Sequence, residues 1–206
     1  MIRSLDLIEM FSEIAVAMTE NRERLCQLDS EGGDGDHGMT MTYVFTALED
    51  AFSALEPAAT TPAELFDMTA ETFLKVDSRA AALYASGFRR AGSVLMRRKT
   101  ISPEEFGKAL SAIGSSFRDK GKPGVERRNV ADVWELAIGA YLDSLKQGLT
   151  LPEALDTALA AANNNRTMAE AGRKAGSDNK PDFTGYDAGG ASALLIIRAM
   201  RDTFSE

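Results

Sequence analysis

The stretch Leu28-Asp29-Ser30-Glu31-Gly32-Gly33-Asp34-Gly35-Asp36-His37-Gly38 gathers four carboxylates, four glycines and the chain's single histidine into eleven residues. Left unpaired, that many acids repel one another in a compact loop. A hard divalent cation, Mg²⁺ or Ca²⁺, removes the conflict, and the glycines let the backbone turn tightly around it. A calcium loop of the helix-loop-helix kind needs a bidentate Glu at its twelfth position. Counted from Asp29, that position holds Thr40. The remaining metal reading is a Mg²⁺ site held by Asp29, Asp34 and Asp36. Such a site leaves part of its coordination shell to water or to phosphates, so the chemistry points to a nucleotide. An acidic, glycine-rich turn that is merely solvated is the plainer alternative.

Ligands in so short a segment must be held by what flanks it, and both flanks read as helix. Ile2 to Leu25 places apolar residues at Leu5, Leu7, Ile8, Met10, Phe11, Ile14 and Ala15, with a period near 3.6. Met39 to Leu55 repeats the pattern through Met41, Val44, Phe45 and Leu48. Thr61-Pro62-Ala63-Glu64 is a capping box with Pro at the first helical position, starting a helix towards Lys75. Asp77 or Ser78 caps the next, to about Arg98. Ser102-Pro103-Glu104-Glu105 and Thr150-Leu151-Pro152-Glu153 repeat the start signal. Further helices are expected over Asn129 or Ala131 to Lys146, Thr150 to Ala162, Thr167 to Ala175, and Ala191 to Phe204, with Gly176 to Gly190 as a loop. Few runs alternate with period two, so no sheet is expected. The expected fold is all-α: a single domain over residues 1–206, an antiparallel helical barrel or bundle of about eight helices joined mostly by short connections.

Composition narrows the function classes. The chain has 206 residues, 44% of them hydrophobic, which suits one domain with a sizeable core. A net charge of −8 argues against nonspecific binding to nucleic acid or to anionic membrane. Phosphorylated ligands stay open, because Mg²⁺ supplies positive charge locally. Cys26 is the only cysteine, which rules out an intramolecular disulfide, fits a reducing cytoplasm and reads as a buried helix residue. The N-terminus shows no basic segment followed by an apolar run, so no signal peptide is expected, and runs such as Ala191 to Ile197 are too short to span a bilayer.

Leu-Asp followed by Gly-Asp-Gly-Asp-His-Gly, in an all-helical chain of this length, resembles the nucleotide-binding (L) subunit family of the dihydroxyacetone kinases. The likeness covers essentially the whole chain. It implies that Asp29, Asp34 and Asp36 hold two Mg²⁺ ions gripping ADP or ATP at one mouth of a helical barrel. It places His37, Gly38 and Thr40 beside the nucleotide. Gly121-Lys122-Pro123-Gly124, with Val130 and the helix through Asp132-Val133-Trp134, resembles the loop near the base. Gly172-Arg173 and Asp187-Ala188-Gly189 resemble elements near phosphate and ribose, so Arg173 and Asp187 are carried over as contacts. The resemblance further implies a separate K-type subunit holding a short ketose. The phosphate source is either exchangeable ATP or a tightly held ADP recharged by a phosphohistidine carrier.

Two stretches depart from the family pattern. Its Gly-Gly-Ala-Ser-Gly-Pro-Leu-Tyr-Gly run stands here as Asp77-Ser78-Arg79-Ala80-Ala81-Ala82-Leu83-Tyr84-Ala85. The glycines are gone and Ala80 replaces the serine, leaving Ser78 and Arg79 as candidate replacements for the lost phosphate contacts. Its Gly-Asp-Lys-Thr-Met element reads Glu126-Arg127-Arg128-Asn129-Val130. Two functions therefore stand side by side: a phosphoryl-donating kinase subunit, or a regulatory, nucleotide-sensing paralogue without efficient transfer. For His37, a structural or nucleotide-contacting role is preferred to that of a base, since phosphoryl transfer depends on positioning and charge. Trp134 reads as core. Asp187 reads as a nucleotide contact or as a cap for the last helix.

Overall fold

The computed structural model describes residues 1–118, 127–163 and 181–205. The expected helix over residues 167–175, the Gly121 loop and Arg173 lie outside them. The described residues form helices α1 (Ser4–Glu20), α2 (Arg22–Ser30), α3 (His37–Ser53), α4 (Pro62–Phe73), α5 (Arg79–Val94), α6 (Pro103–Arg118), α7 (Val130–Lys146), α8 (Leu151–Asn163) and α9 (Ala188–Phe204). The strands β1 (Ile2–Arg3) and β2 (Thr100–Ile101) pair antiparallel.

The helix starts follow from local chemistry. Thr61 N–H donates to Glu64 Oε2 at 2.7 Å and Glu64 N–H returns to Thr61 Oγ1 at 3.3 Å, closing the expected capping box. Ser102 with Glu105 does the same, and Asn129 does so with Asp132 at the head of α7. Each device satisfies amide groups that the first helical turn leaves unpaired.

Apart from α2, each helix packs against the next in chain order, and α9 closes the ring against α1. Neighbours run antiparallel. Thr42 Oγ1 at the start of α3 donates to Met18 O at the end of α1, and Tyr141 Oη near the end of α7 donates to Pro103 O at the start of α6. Aromatic rings fill one side of the interior, from Phe11 through Phe88, Phe73, Tyr84 and Phe117 to Trp134, with successive centroids 4.9–6.0 Å apart. Helix α9 is buried almost all round over Ala191–Ile197 and packs on α1, α7 and α8. No helix among the described residues is long and apolar enough to cross a membrane.

Four expectations need correction. The helix expected over Ile2 to Leu25 is broken. Asn21 leaves the helical region (φ −107°, ψ 7°), and its side-chain amide donates to Ala17 O at 2.9 Å, standing in for the backbone N–H that would continue the helix. The apolar period runs on through α2, which hides the break. Residues 2–3 pair with residues 100–101, a ladder too short to carry any period. The helix expected to reach Arg98 ends at Val94, where Leu95 N–H bonds back to Ala91 O and Gly92 O, and Arg97 takes a left-handed conformation (φ +66°). Cys26 is half-buried rather than buried.

Candidate metal and nucleotide site

One end of the ring collects α2, the starts of α3, α5, α7 and α9, and the ends of α4, α6 and α8. The acidic loop sits there. Asp29 lies in the last turn of α2, and its carboxylate organises the loop as well as facing it. Oδ2 accepts N–H bonds from Gly35 (2.9 Å), Asp36 (3.1 Å) and His37 (3.3 Å). Asp29 O also accepts from Gly32 and Gly33. The turn back to α3 passes through Gly35 at φ +80°, a conformation a side chain would oppose.

Asp29, Asp34 and Asp36 each bring a carboxylate oxygen within 4.8 Å of the others. Asp36 occupies the N-cap of α3 yet makes no side-chain cap. Aspartate at that position ordinarily caps from extended backbone; here the backbone is near-helical (φ −102°, ψ −6°), and the carboxylate joins the cluster instead. Its electrostatics are unfavourable: loss of solvent, then the charges of Asp34 and Asp29, holds its carboxyl above the usual carboxylate range. Asp34 is shifted the other way, chiefly by the Asp36 N–H. Three oxygen donors in mutual conflict on a backbone-locked loop fit a hard divalent cation. The chain's own donors form an incomplete shell, and phosphate oxygens and water would complete it.

His37 closes the site from below. It is 7% exposed, and its Nε2 lies 2.9 Å from Ser192 Oγ. The Ser192 hydroxyl donates to Gly189 O at 3.0 Å, so the serine oxygen accepts and Nε2 carries the proton. Burial lowers the imidazole's pKa, against the pull of Asp29 and Asp34. The ring is neutral at pH 7 and ties α3 to α9. Nothing in the sequence near Ser192 signals this role, since its partner lies 155 positions away. Beneath it, Tyr84 is fully enclosed and burial pushes its phenol up to about 12.

Gly38 and Thr40 turn inward on α3. Gly38 lets two helices meet: a Cβ there would lie 2.1 Å from Arg22 O and 2.9 Å from Cys26 Sγ. Gly38→Ala should therefore pry α2 from α3, cost about 2–4 kcal/mol of stability and separate Asp29 from Asp36. Thermal melting with and without Mg²⁺ checks both effects. An unchanged melting temperature together with intact Mg²⁺ binding would refute the account.

The other expected residues fall around the same end. Ser78 is the extended N-cap of α5 without a side-chain cap, and Arg79 begins the helix, exposed. Val130 starts α7 and lies 3.5 Å, Cβ to Cβ, from where a side chain on Gly189 would begin. Asp187 caps α9, its Oδ1 accepting from Gly190 N–H at 2.7 Å. Burial raises its carboxyl pKa. It also shares a 480 Å³ cavity with Asp29, Gly32, Gly33 and Gly189, so the capping role and a place in the site coexist. Glu31 and Arg127 line the same cavity and pair across it at 2.5 Å. Sequence reasoning gave neither of them an individual role, although both carry charge beside the loop.

The DAK2 domain model matches residues 31–202. Among curated proteins, the chain is 27% identical over 197 residues to the ADP-binding subunit DhaL of PEP-dependent dihydroxyacetone kinase 1 from Listeria innocua, covering 95% of this chain and 94% of that one. It is 26% identical over 185 residues to the corresponding Escherichia coli subunit, covering 86% of each. Among solved structures, the dihydroxyacetone kinase of C. freundii superposes with a TM-score of 0.66 at 19% identity, over 97% of this chain and 34% of that one. Its complex with AMP-PNP and Mg²⁺ gives 0.65 at 16%. The chain thus spans about a third of that kinase, and the likeness shows the fold.

Proposed function

From the premise that the chain belongs to the DAK2 domain family, we propose that it is the nucleotide-binding, phosphoryl-donating subunit of a dihydroxyacetone-type kinase. Residues 1–206 act as one unit, working with a K-type subunit that holds a short ketose. The observation that carries the reading is the Asp29, Asp34 and Asp36 cluster, drawn within 4.8 Å on a loop fixed at both ends by helices. Asp29, Asp34 and Asp36 would hold two Mg²⁺ ions, which would supply positive charge to the transferred phosphoryl group. Asp29 fixes the loop, Asp36 faces the cluster in place of capping, and neutral His37 holds α3 against α9. His37, Gly38, Thr40, Ser78, Arg79, Val130 and Asp187 surround the nucleotide, with Gly121 and Arg173 contributing from outside the described residues.

The names of the relatives, ADP-binding subunits of PEP- or PTS-dependent kinases, favour a retained ADP recharged by a phosphohistidine carrier over exchangeable ATP. The rewritten 77–85 segment favours the second reading, a nucleotide-sensing paralogue that binds without transferring. Native mass spectrometry of the purified chain, with and without EDTA, tests the common core. The expected result is added mass equal to ADP plus two Mg²⁺, lost with EDTA. A bare mass, with no MgADP or MgATP binding by calorimetry, would overturn both readings.

A further inference from the structure

We infer that Arg127 is a phosphate-gripping residue of this chain, held in reserve by Glu31 until nucleotide arrives. The inference rests on the nucleotide reading above and adds a residue to it. In the Gly-Asp-Lys-Thr-Met element that this segment resembles, the place of Arg127 belongs to an aspartate, so the charge is reversed here. The same chain lacks the glycines and serine of the phosphate run at residues 77–85. A lost set of backbone contacts and a gained cation occur at the same end of the ring.

The geometry permits the exchange. Arg127 Nη1 pairs with Glu31 Oε2 at 2.5 Å, and the two side chains are 47% and 48% exposed. Both line the 480 Å³ cavity that Asp29 and Gly33 also line. Among the described residues on that wall, Asp29, Glu31 and Asp187 carry negative charge and Arg127 alone carries positive charge. The adjoining backbone is anchored. Arg128 N–H donates to Gly185 O at 2.8 Å, and Asp187 N–H donates to Arg128 O at 3.0 Å. The long side chain can therefore swing from a fixed base. A half-exposed ion pair contributes little to stability, so breaking it is cheap. A guanidinium forks onto phosphate oxygens with two parallel bonds, and a nucleotide's phosphates bring more negative charge and more acceptor oxygens than the single Glu31 carboxylate. Glu31 then acts as a competitor for Arg127.

The test measures MgADP affinity by calorimetry for wild type, Arg127→Gln, Glu31→Gln and the double variant. Binding of Mn²⁺ alone is followed by electron paramagnetic resonance, and folding by Trp134 fluorescence. Arg127→Gln should weaken MgADP about tenfold or more without weakening Mn²⁺. Glu31→Gln should tighten MgADP severalfold, and only while Arg127 is present. Arg127→Lys, which keeps the charge but not the fork, should fall between wild type and the glutamine variant. Arg127→Gln binding MgADP as wild type does, or Glu31→Gln acting equally in both backgrounds, would overturn the assignment. A wild-type chain that binds Mn²⁺ but no MgADP would overturn the nucleotide reading itself, and this inference with it.

Discussion

Asp34→Ala should lose two to three orders of magnitude in Mg-nucleotide affinity while melting within about 2 °C of wild type. The separation of the two readouts comes from where Asp34 sits. Its side chain is exposed and accepts one long bond, from Asp36 N–H at 3.4 Å. Little of the fold depends on it. A cation held by the three carboxylates would depend on it, because removing one of them takes away a proposed ligand and a full negative charge. Asp29→Ala is the informative contrast. It removes a proposed ligand and also the acceptor for three loop amides, so affinity and melting temperature should fall together. Measured with a K-type subunit, a ketose and the phosphate source, turnover should vanish in Asp34→Ala. Turnover surviving in Asp34→Ala, or a large drop in its melting temperature, would contradict the assignment of this residue as a ligand with no structural duty.

The reason the Asp triad was legible in the sequence is physical. Four acids in eleven residues form a local conflict, and local conflicts can be read without a structure. The helix starts were legible for the same reason, since Thr61 with Glu64 and Asn129 with Asp132 act over three residues. Features that act across the chain left no such trace. Ser192 looks like one more small residue in an apolar helix, and only folding brings its hydroxyl to His37. Arg127 and Glu31 are 96 positions apart in sequence and read as ordinary surface charges until the cavity places them face to face. The break at Asn21 was hidden because its side chain imitates the missing backbone donor, so the apolar period never faltered. Asp36 illustrates both cases: its identity as a candidate ligand was readable, whereas its refusal to cap α3 was visible only in three dimensions.

That refusal gives the last prediction, which has opposite signs in two conditions. In the metal-free protein the Asp36 carboxyl has a raised pKa, through loss of solvent and then through Asp34 and Asp29. A raised carboxyl pKa means that the folded state prefers the protonated form, so ionised Asp36 destabilises the fold at neutral pH. As pH falls through its folded value the penalty disappears. The opposite holds for Asp6, Glu64, Glu153 and Asp182, whose lowered values mean stability lost on acidification. The whole-protein pH curve therefore mixes both signs, and the difference between two variants isolates Asp36. Asp36→Asn, a neutral replacement of the same shape, should melt above wild type at pH 7 in EDTA, with the gap closing towards pH 4. Saturating Mg²⁺ should reverse the order. A ligand at a hundred times its Kd adds about 2.7 kcal/mol to the form that binds it, and the variant has lost a ligand. Asp36→Asn melting below wild type in EDTA would remove the claim that the cluster is strained without its cation. Equal Mg²⁺ stabilisation of both proteins would remove Asp36 from the metal site. Both expected results together would show the loop giving up stability when empty in order to bind when filled, which is how a built metal site differs from a solvated acidic turn.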